Sequence, residues 1–296
     1  MKRLLAIGEA LIDFIPEETG KELKNVKGFQ PAVGGAPANV CGAYVKLGGE
    51  AAMITQLGDD PFGDKIVDEF VSCGIGCQYV KRTKEANTSL AFVALKGDGN
   101  REFSFYRKPG ADMLLKAEDV KEEWFEDAFA LHFCSVSLGD FPMKEAHKKA
   151  VEYAVKKGAL ISFDPNLRLQ LWEDGEKLRQ AVLEFAPLAH VLKISDEELK
   201  FITGCDEIEK ALPGLFKGNT RMVIYTKGSD GAECYTAHNK GAAAGKRVKA
   251  LDTTGAGDGF IGSFLHCLAK DHVTADILEQ VTGEKMADYL EFANRF

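Results

Sequence analysis

The residues of this 296-residue chain best suited to chemistry are Asp252-Thr253-Thr254-Gly255-Ala256-Gly257-Asp258. Gly255, Ala256 and Gly257 stand just before an apolar run, Gly259 to Leu268, that suits a buried helix. Small residues at a helix N-terminus leave backbone N–H groups uncovered, and the helix dipole adds positive potential, so a phosphate or other oxyanion binds there. Asp258 falls in the first turn, beside that anion. A charge cradle next to a proton acceptor is what phosphoryl transfer to an alcohol requires. A plainer description also holds: a Gly-rich turn with an aspartate where the dipole favours a carboxylate anyway. A second pattern, Gly34-Gly35-Ala36-Pro37-Ala38-Asn39, has two glycines that let backbone approach a ligand and a proline that opens a helix carrying Asn39. An amide both donates and accepts, which suits the vicinal hydroxyls of a sugar. Local capping is the simpler use of the same side chain.

Such residues need a scaffold. Apolar runs of strand length (Leu4–Ile7, Ala51–Gln56, Ala128–Cys134, Leu160–Phe163, Val191–Ile194, Arg221–Thr226) alternate with helical segments at Pro37–Leu47, Phe62–Cys73, Pro142–Lys157, Trp172–Phe185, Asp196–Ile202 and Gly259–Ala269. This alternation predicts an α/β fold: one domain over residues 1–296, its mostly parallel central sheet flanked by helices. Two stretches break the rule. Thr88–Leu95 and Arg101–Arg107 are strand-like around the turn Lys96-Gly97-Asp98-Gly99-Asn100, and Leu11 to Pro31 has no helical period. They predict a small β-sheet lid from segments at about 11–33 and 87–110, able to exclude water from a phosphoryl group in transfer. A decorative edge hairpin is the alternative.

Composition narrows the class. The net charge is −8 with no long basic block, which argues against a nucleic-acid partner. No run approaches the ~20 apolar residues of a membrane span, and the start, Met1 to Glu9, is too short in apolar residues for a signal peptide. Seven scattered cysteines read as reduced core thiols of a cytoplasmic protein. Cys73 and Cys77 have no second Cys/His pair at zinc spacing, and His132, in an apolar strand, reads as a core histidine. Gly241 to Arg247 is one residue short of a Walker A loop and lacks its Ser/Thr. Gly257, Gly259 and Gly262 spell GxGxxG, too late in the chain and without the acidic residue a dinucleotide site needs.

Taken together, Gly34–Asn39 and Asp252–Asp258 resemble the two signatures of the PfkB, or ribokinase-like, family of carbohydrate kinases, with Gly48 and Gly58 where the first signature expects glycine. The resemblance spans essentially the whole chain. It implies ATP-dependent phosphorylation of a sugar hydroxyl with Mg²⁺, Asp258 as catalytic base, and the N–H groups of Gly255, Ala256 and Gly257 as anion hole. It further implies sugar contacts from Asp13, Gly34, Gly35 and Asn39. Ser195-Asp196-Glu197-Glu198 takes the place of the family's N-x-x-E motif, so Glu198 would position Mg²⁺ through water, with Ser195 in place of Asn. Asp164-Pro165-Asn166-Leu167-Arg168 resembles an element that faces the phosphates, which makes Asn166 and Arg168 candidates. Thr226-Lys227-Gly228 resembles the nucleotide-side loop, and Asn294 lies in the segment expected near the adenine. Arg107 in Arg107-Lys108-Pro109-Gly110-Ala111-Asp112, with Asp164–Arg168, resembles the fructokinase subgroup and points to fructose. Ketodeoxygluconate kinases are the rival within the family; a sugar- or nucleotide-binding regulator is the rival outside it. Cys41 and Ser263 depart from the signatures by small residues. The sequence ends at Phe296, before a segment that in relatives flanks the adenine pocket and helps form a K⁺ site, so weak adenine selectivity and little K⁺ activation are expected. An exposed lid edge could also pair with its twin in a homodimer.

Overall fold

Alternate residues of the first strand point into opposite cores, and this decides the architecture. In the computed structural model, which describes residues 2–95, 101–245 and 255–295, β1 (Arg3–Ile7) sends Leu4 and Ala6 into one apolar cluster and Leu5 and Ile7 into the other. A sheet buried on both faces needs helices on both faces. One layer comprises α1 (Ala36–Lys46), α2 (Pro61–Cys73), α7 (Ala256–Lys270) and α8 (Gly283–Ala293). The other comprises α3 (Pro142–Lys156), α4 (Gly175–Phe185), α5 (Asp196–Thr203) and α6 (Ile208–Leu215).

Among the described residues the large sheet has nine strands. Its order is β13 (Lys240–Ala243), β12 (Ala232–Tyr235), β11 (Met222–Thr226), β10 (Val191–Ser195), β9 (Leu160–Asp164), β8 (Ala128–Cys134), β1, β4 (Ala51–Gly58) and β5 (Gly76–Thr83). Every pairing from β11 through to β5 is parallel, whereas β12 and β13 add an antiparallel end. A second sheet holds β3 (Phe29–Gly34), β2 (Leu11–Pro16), β6 (Leu90–Leu95) and β7 (Arg101–Tyr106), in that order. The segments expected to form a lid thus share one sheet. A parallel β2–β6 pairing joins its two hairpin-like halves. On one face Phe14 stacks on Phe92 at 4.5 Å and meets Phe62 of α2 edge-on, which fastens the small sheet to the body.

The helix ends have local causes. Asp60 caps α2 by accepting from the N–H groups of Phe62 and Gly63, and Gly74 closes it in a left-handed conformation. Asp174 caps α4 at Gly175, so that helix begins three residues after the expected Trp172. Helix α7 starts earlier than expected, at Ala256, because Gly255 at φ 77° reverses the chain and the small residues themselves form the first turn. Gly262 of α7 faces α1 so closely that a Cβ there would lie 2.8 Å from both Ala43 Cβ and the Val40 carbonyl. That glycine of the GxGxxG string therefore serves helix packing. Gly241–Ala243 belongs to β13, a strand and not a phosphate loop. All seven cysteines are free thiols. His132 is fully buried against the Ser162 hydroxyl at 3.0 Å, and burial holds its pKa down at about 3, so it stays neutral.

Candidate active site

The carboxyl ends of the parallel strands and the N-termini of α1 and α7 converge on one cleft, where ligands of open α/β sheets bind. Among the described residues no side chain caps the N-terminus of α7, where Gly255, Ala256 and Gly257 form the first turn and Ala256 and Gly257 are exposed. Asp252–Thr254 lie outside the described residues. Asp258 is buried one turn in and accepts a 2.9 Å hydrogen bond at Oδ2 from Asn39 Nδ2 of α1. The two sequence patterns therefore meet directly across the α1–α7 contact. Burial pushes the Asp258 carboxyl up to about 6; the Asn39 hydrogen bond, Lys193 and Arg168 pull the other way and Asp164 adds to the rise. A carboxylate poised near neutrality is suited to accept a proton from an alcohol.

The small sheet supplies the opposite wall. Asp13 of β2 is also raised to about 6 by burial, with Arg168 opposing. Arg168 is itself exposed, so its charge reaches both aspartates from the rim. Gly34 pairs with Leu11 across β2–β3, and any Cβ on it would collide with the Asp13 carboxylate. Gly35, at φ 117°, comes so near that a Cβ would lie 2.5 Å from the Glu9 carbonyl. The double glycine is a packing requirement where this turn passes Asp13 and the Glu9 backbone.

The remaining expected residues lie at strand ends, turns and helix ends. Asn166 adopts a left-handed φ of 45°, its N–H donating to Asp164 Oδ1 at 3.2 Å. Glu198 accepts from the N–H groups of Leu167 and Ser195, each at 2.9 Å, while the Ser195 hydroxyl caps α5. That reciprocal capping explains how serine serves where the signature has asparagine, since both are good N-caps. Thr226 ends β11 in register with Ser195, and Gly228 opens the following turn at φ 52°. Asn294 donates to the Ala244 carbonyl at 3.2 Å, fixing the end of α8 beside the end of β13.

Arg107, the residue that resembles the fructokinase subgroup and a candidate for sugar binding, sits in a buried polar network. Its guanidinium is buried and doubly bonded to Asp112, donates to the Val136 carbonyl at 3.2 Å and reaches the Ser137 hydroxyl at 3.1 Å. Ser137 in turn donates to Glu9, whose carboxyl burial raises to about 7. Arg107 thus ties the end of β7 to the body. Sequence reading also overlooked Lys193, whose Nζ lies 2.8 Å from Asp164 deep in the site. A lysine inside the otherwise apolar run Val191-Leu192-Lys193-Ile194 was the available signal.

The model of the pfkB family of carbohydrate kinases matches residues 1–296. The chain belongs to that family. It is 41% identical over 292 residues to a protein named probable fructokinase-2 of Arabidopsis thaliana, covering 98% of this chain and 87% of that one. A crystal structure of fructokinase with bound ATP from Xylella fastidiosa superposes with a TM-score of 0.90 at 35% identity, covering 99% of this chain and 89% of that one. The Vibrio cholerae O395 fructokinase in its fructose-, ADP- and calcium-bound form gives 0.84 at 33% identity, covering 99% and 91%. This member of the pfkB family thus shares the fold of fructokinases over 87–91% of their length. No helix among the described residues is long and apolar enough to cross a membrane.

Proposed function

We infer that this kinase transfers the terminal phosphoryl group of ATP to a hydroxyl of fructose, giving fructose 6-phosphate by analogy with its relatives. The observation that carries this reading is the Asn39–Asp258 hydrogen bond at the N-terminus of α7, with Asp13 on the small sheet. Fructose lies between the small sheet and the body, its hydroxyls held by Asp13 and Asn39. Asn39 engages Oδ2 of Asp258, which leaves Oδ1 for the reacting hydroxyl. The sugar oxygen attacks the γ-phosphorus as its proton passes to Asp258. The bond from phosphorus to the bridging oxygen breaks, and ADP leaves with that electron pair. Charge on the transferring group is met by the N–H groups of Gly255–Gly257, which a helix dipole reinforces.

We assign the nucleotide contacts to Asn166, Arg168, Thr226, Gly228 and Asn294. Among the described residues no three His, Cys, Asp or Glu side chains form a metal cage. Glu198, each of whose oxygens accepts one backbone hydrogen bond and keeps a lone pair, is the carboxylate that would help hold a magnesium ion. When bound, that ion would neutralise phosphate charge. Seven free thiols suit a reducing, cytoplasmic setting, and the β7 edge of the small sheet is the surface we assign to a homodimer contact. A coupled ADP-release assay with Mg-ATP across fructose, ribose, ketodeoxygluconate and nucleosides tests the reading. Fructose should show the highest kcat/KM; a ranking below ketodeoxygluconate or ribose overturns the fructose assignment.

A further inference from the structure

Lys193 is among the most deeply placed charges in the molecule. It stands on β10 among Val191, Leu192 and Ile194, its side chain almost wholly buried, and Asp164 at the end of β9 is its ion-pair partner at 2.8 Å. Its Nζ also faces the anion cradle from within: a Cβ built on Gly257 would lie 3.3 Å from that nitrogen. A glycine at this position therefore leaves nothing but backbone between the ammonium and the first turn of α7. Removing such a charge from water is costly, and one carboxylate at one distance would suffice to hold two strands together. The placement calls for a second reason.

The charges around Lys193 supply it. Asp164 faces it from β9, Glu198 from α5 and Asp258 from α7. On β8, burial keeps His132 neutral and raises the Cys134 thiol far above its usual range, so neither contributes charge at neutral pH. Arg168 acts from the exposed rim. Among the described residues, the interior around Lys193 thus holds three carboxylates against this one cation, and the proposed reaction brings a polyphosphate to the same place. Like charges in a desolvated site repel strongly. We propose that Lys193 is a positioning residue of the phosphoryl transfer, its clamped ammonium being the interior charge that lets the Asp258 carboxylate and an anion in the Gly255–Gly257 cradle stand side by side. This rests on the kinase reading above. In support, Asp164 and the other carboxylates outweigh burial and hold the Lys193 ammonium well above its ordinary pKa, so it stays charged throughout the working range.

Three variants separate this role from simple strand pairing. Lys193→Met leaves Asp164 buried and unpaired. Its kcat should fall by about 10²-fold, as on losing one preorganised donor, and the acid limb of its kcat–pH profile should move to higher pH because Asp258 loses an attractive charge. The double variant Asp164→Asn/Lys193→Met removes both charges and should regain most of the wild-type melting temperature. Its kcat with fructose and Mg-ATP should nevertheless stay at least tenfold low. Lys193→Arg keeps the cation, and should stay within about tenfold of wild type with an unmoved acid limb. A double variant with wild-type kcat shows the pair to be structural only, and so does a folded Lys193→Arg protein as impaired as Lys193→Met. Wild-type protein that releases no ADP with any sugar defeats the kinase reading itself, a different outcome from either of these.

Discussion

Replacing Asp258 by asparagine should cripple turnover and at the same time make the protein harder to melt. The amide keeps the size of the carboxylate, and its oxygen can accept the same hydrogen bond from Asn39. It cannot take the sugar proton, and losing a general base typically costs ~10²–10⁴ in rate. The stability effect has the opposite sign. Burial, chiefly, raises the carboxyl from its ordinary 3.8 to about 6, so between those values the folded protein binds more protons than the unfolded chain. Its contribution is fully present below about 4 and is lost as pH rises through about 6. At ~1.4 kcal/mol per pH unit the ionised group then costs about 3 kcal/mol at neutral pH. Asparagine avoids that cost but forgoes a favourable dipole interaction of ~0.3–1 kcal/mol. A net gain of about 2 kcal/mol corresponds to a Tm rise of ~4 °C at this chain length. Differential scanning calorimetry at pH 7.5 and pH 4 measures it, and the gain should shrink at the lower pH. Wild-type kcat should decline below about pH 6, a limb the variant lacks. A variant that keeps more than a tenth of wild-type kcat and melts no higher than wild type would falsify the base assignment and the electrostatic argument together.

The other sites make separable predictions. Gly34→Ala drives a methyl group into the Asp13 carboxylate, so KM for fructose should rise about tenfold or more, equivalent to ~1.4 kcal/mol of sugar binding, while KM for ATP changes little; equal changes in both constants would detach Asp13 from the sugar. Arg107→Met strands a buried Asp112 carboxylate and should cost about 3–5 kcal/mol in urea denaturation, most of it recovered by adding Asp112→Leu. An unchanged unfolding midpoint in the single variant would mean that the network from Asp112 to Glu9 holds nothing.

Much of this was legible in the sequence because the informative residues are local. The strands from β1 to β11 that carry the site are short apolar runs between turn signals, and Asp258 and Asn39 each sit inside a compact run of small residues. What escaped was set by distant partners. Strand β5, Gly76–Thr83, is half-buried and mixes Lys81 and Arg82 with apolar residues, so its period carries little signal. The partners of Arg107 were likewise hidden: nothing in its local sequence announces that Val136 and Ser137, some thirty residues on, accept from its guanidinium. Lys193 offered only a charge inside an apolar run, and its partners Asp164 and Gly257 are brought against it by the fold alone.

The hydrogen bond from Asn39 to Asp258 joins residues 219 positions apart. One belongs to the first helix formed and the other to the seventh, and Gly262 is what lets those helices touch. A growing polypeptide on the ribosome could therefore complete most of its central sheet, from β5 through to β11, before its base had been synthesised. Contacts this remote in sequence are slow to form. Catalytic competence then becomes a late checkpoint of maturation. In refolding, helical circular dichroism should return first, and ADP release only when α7 docks on α1.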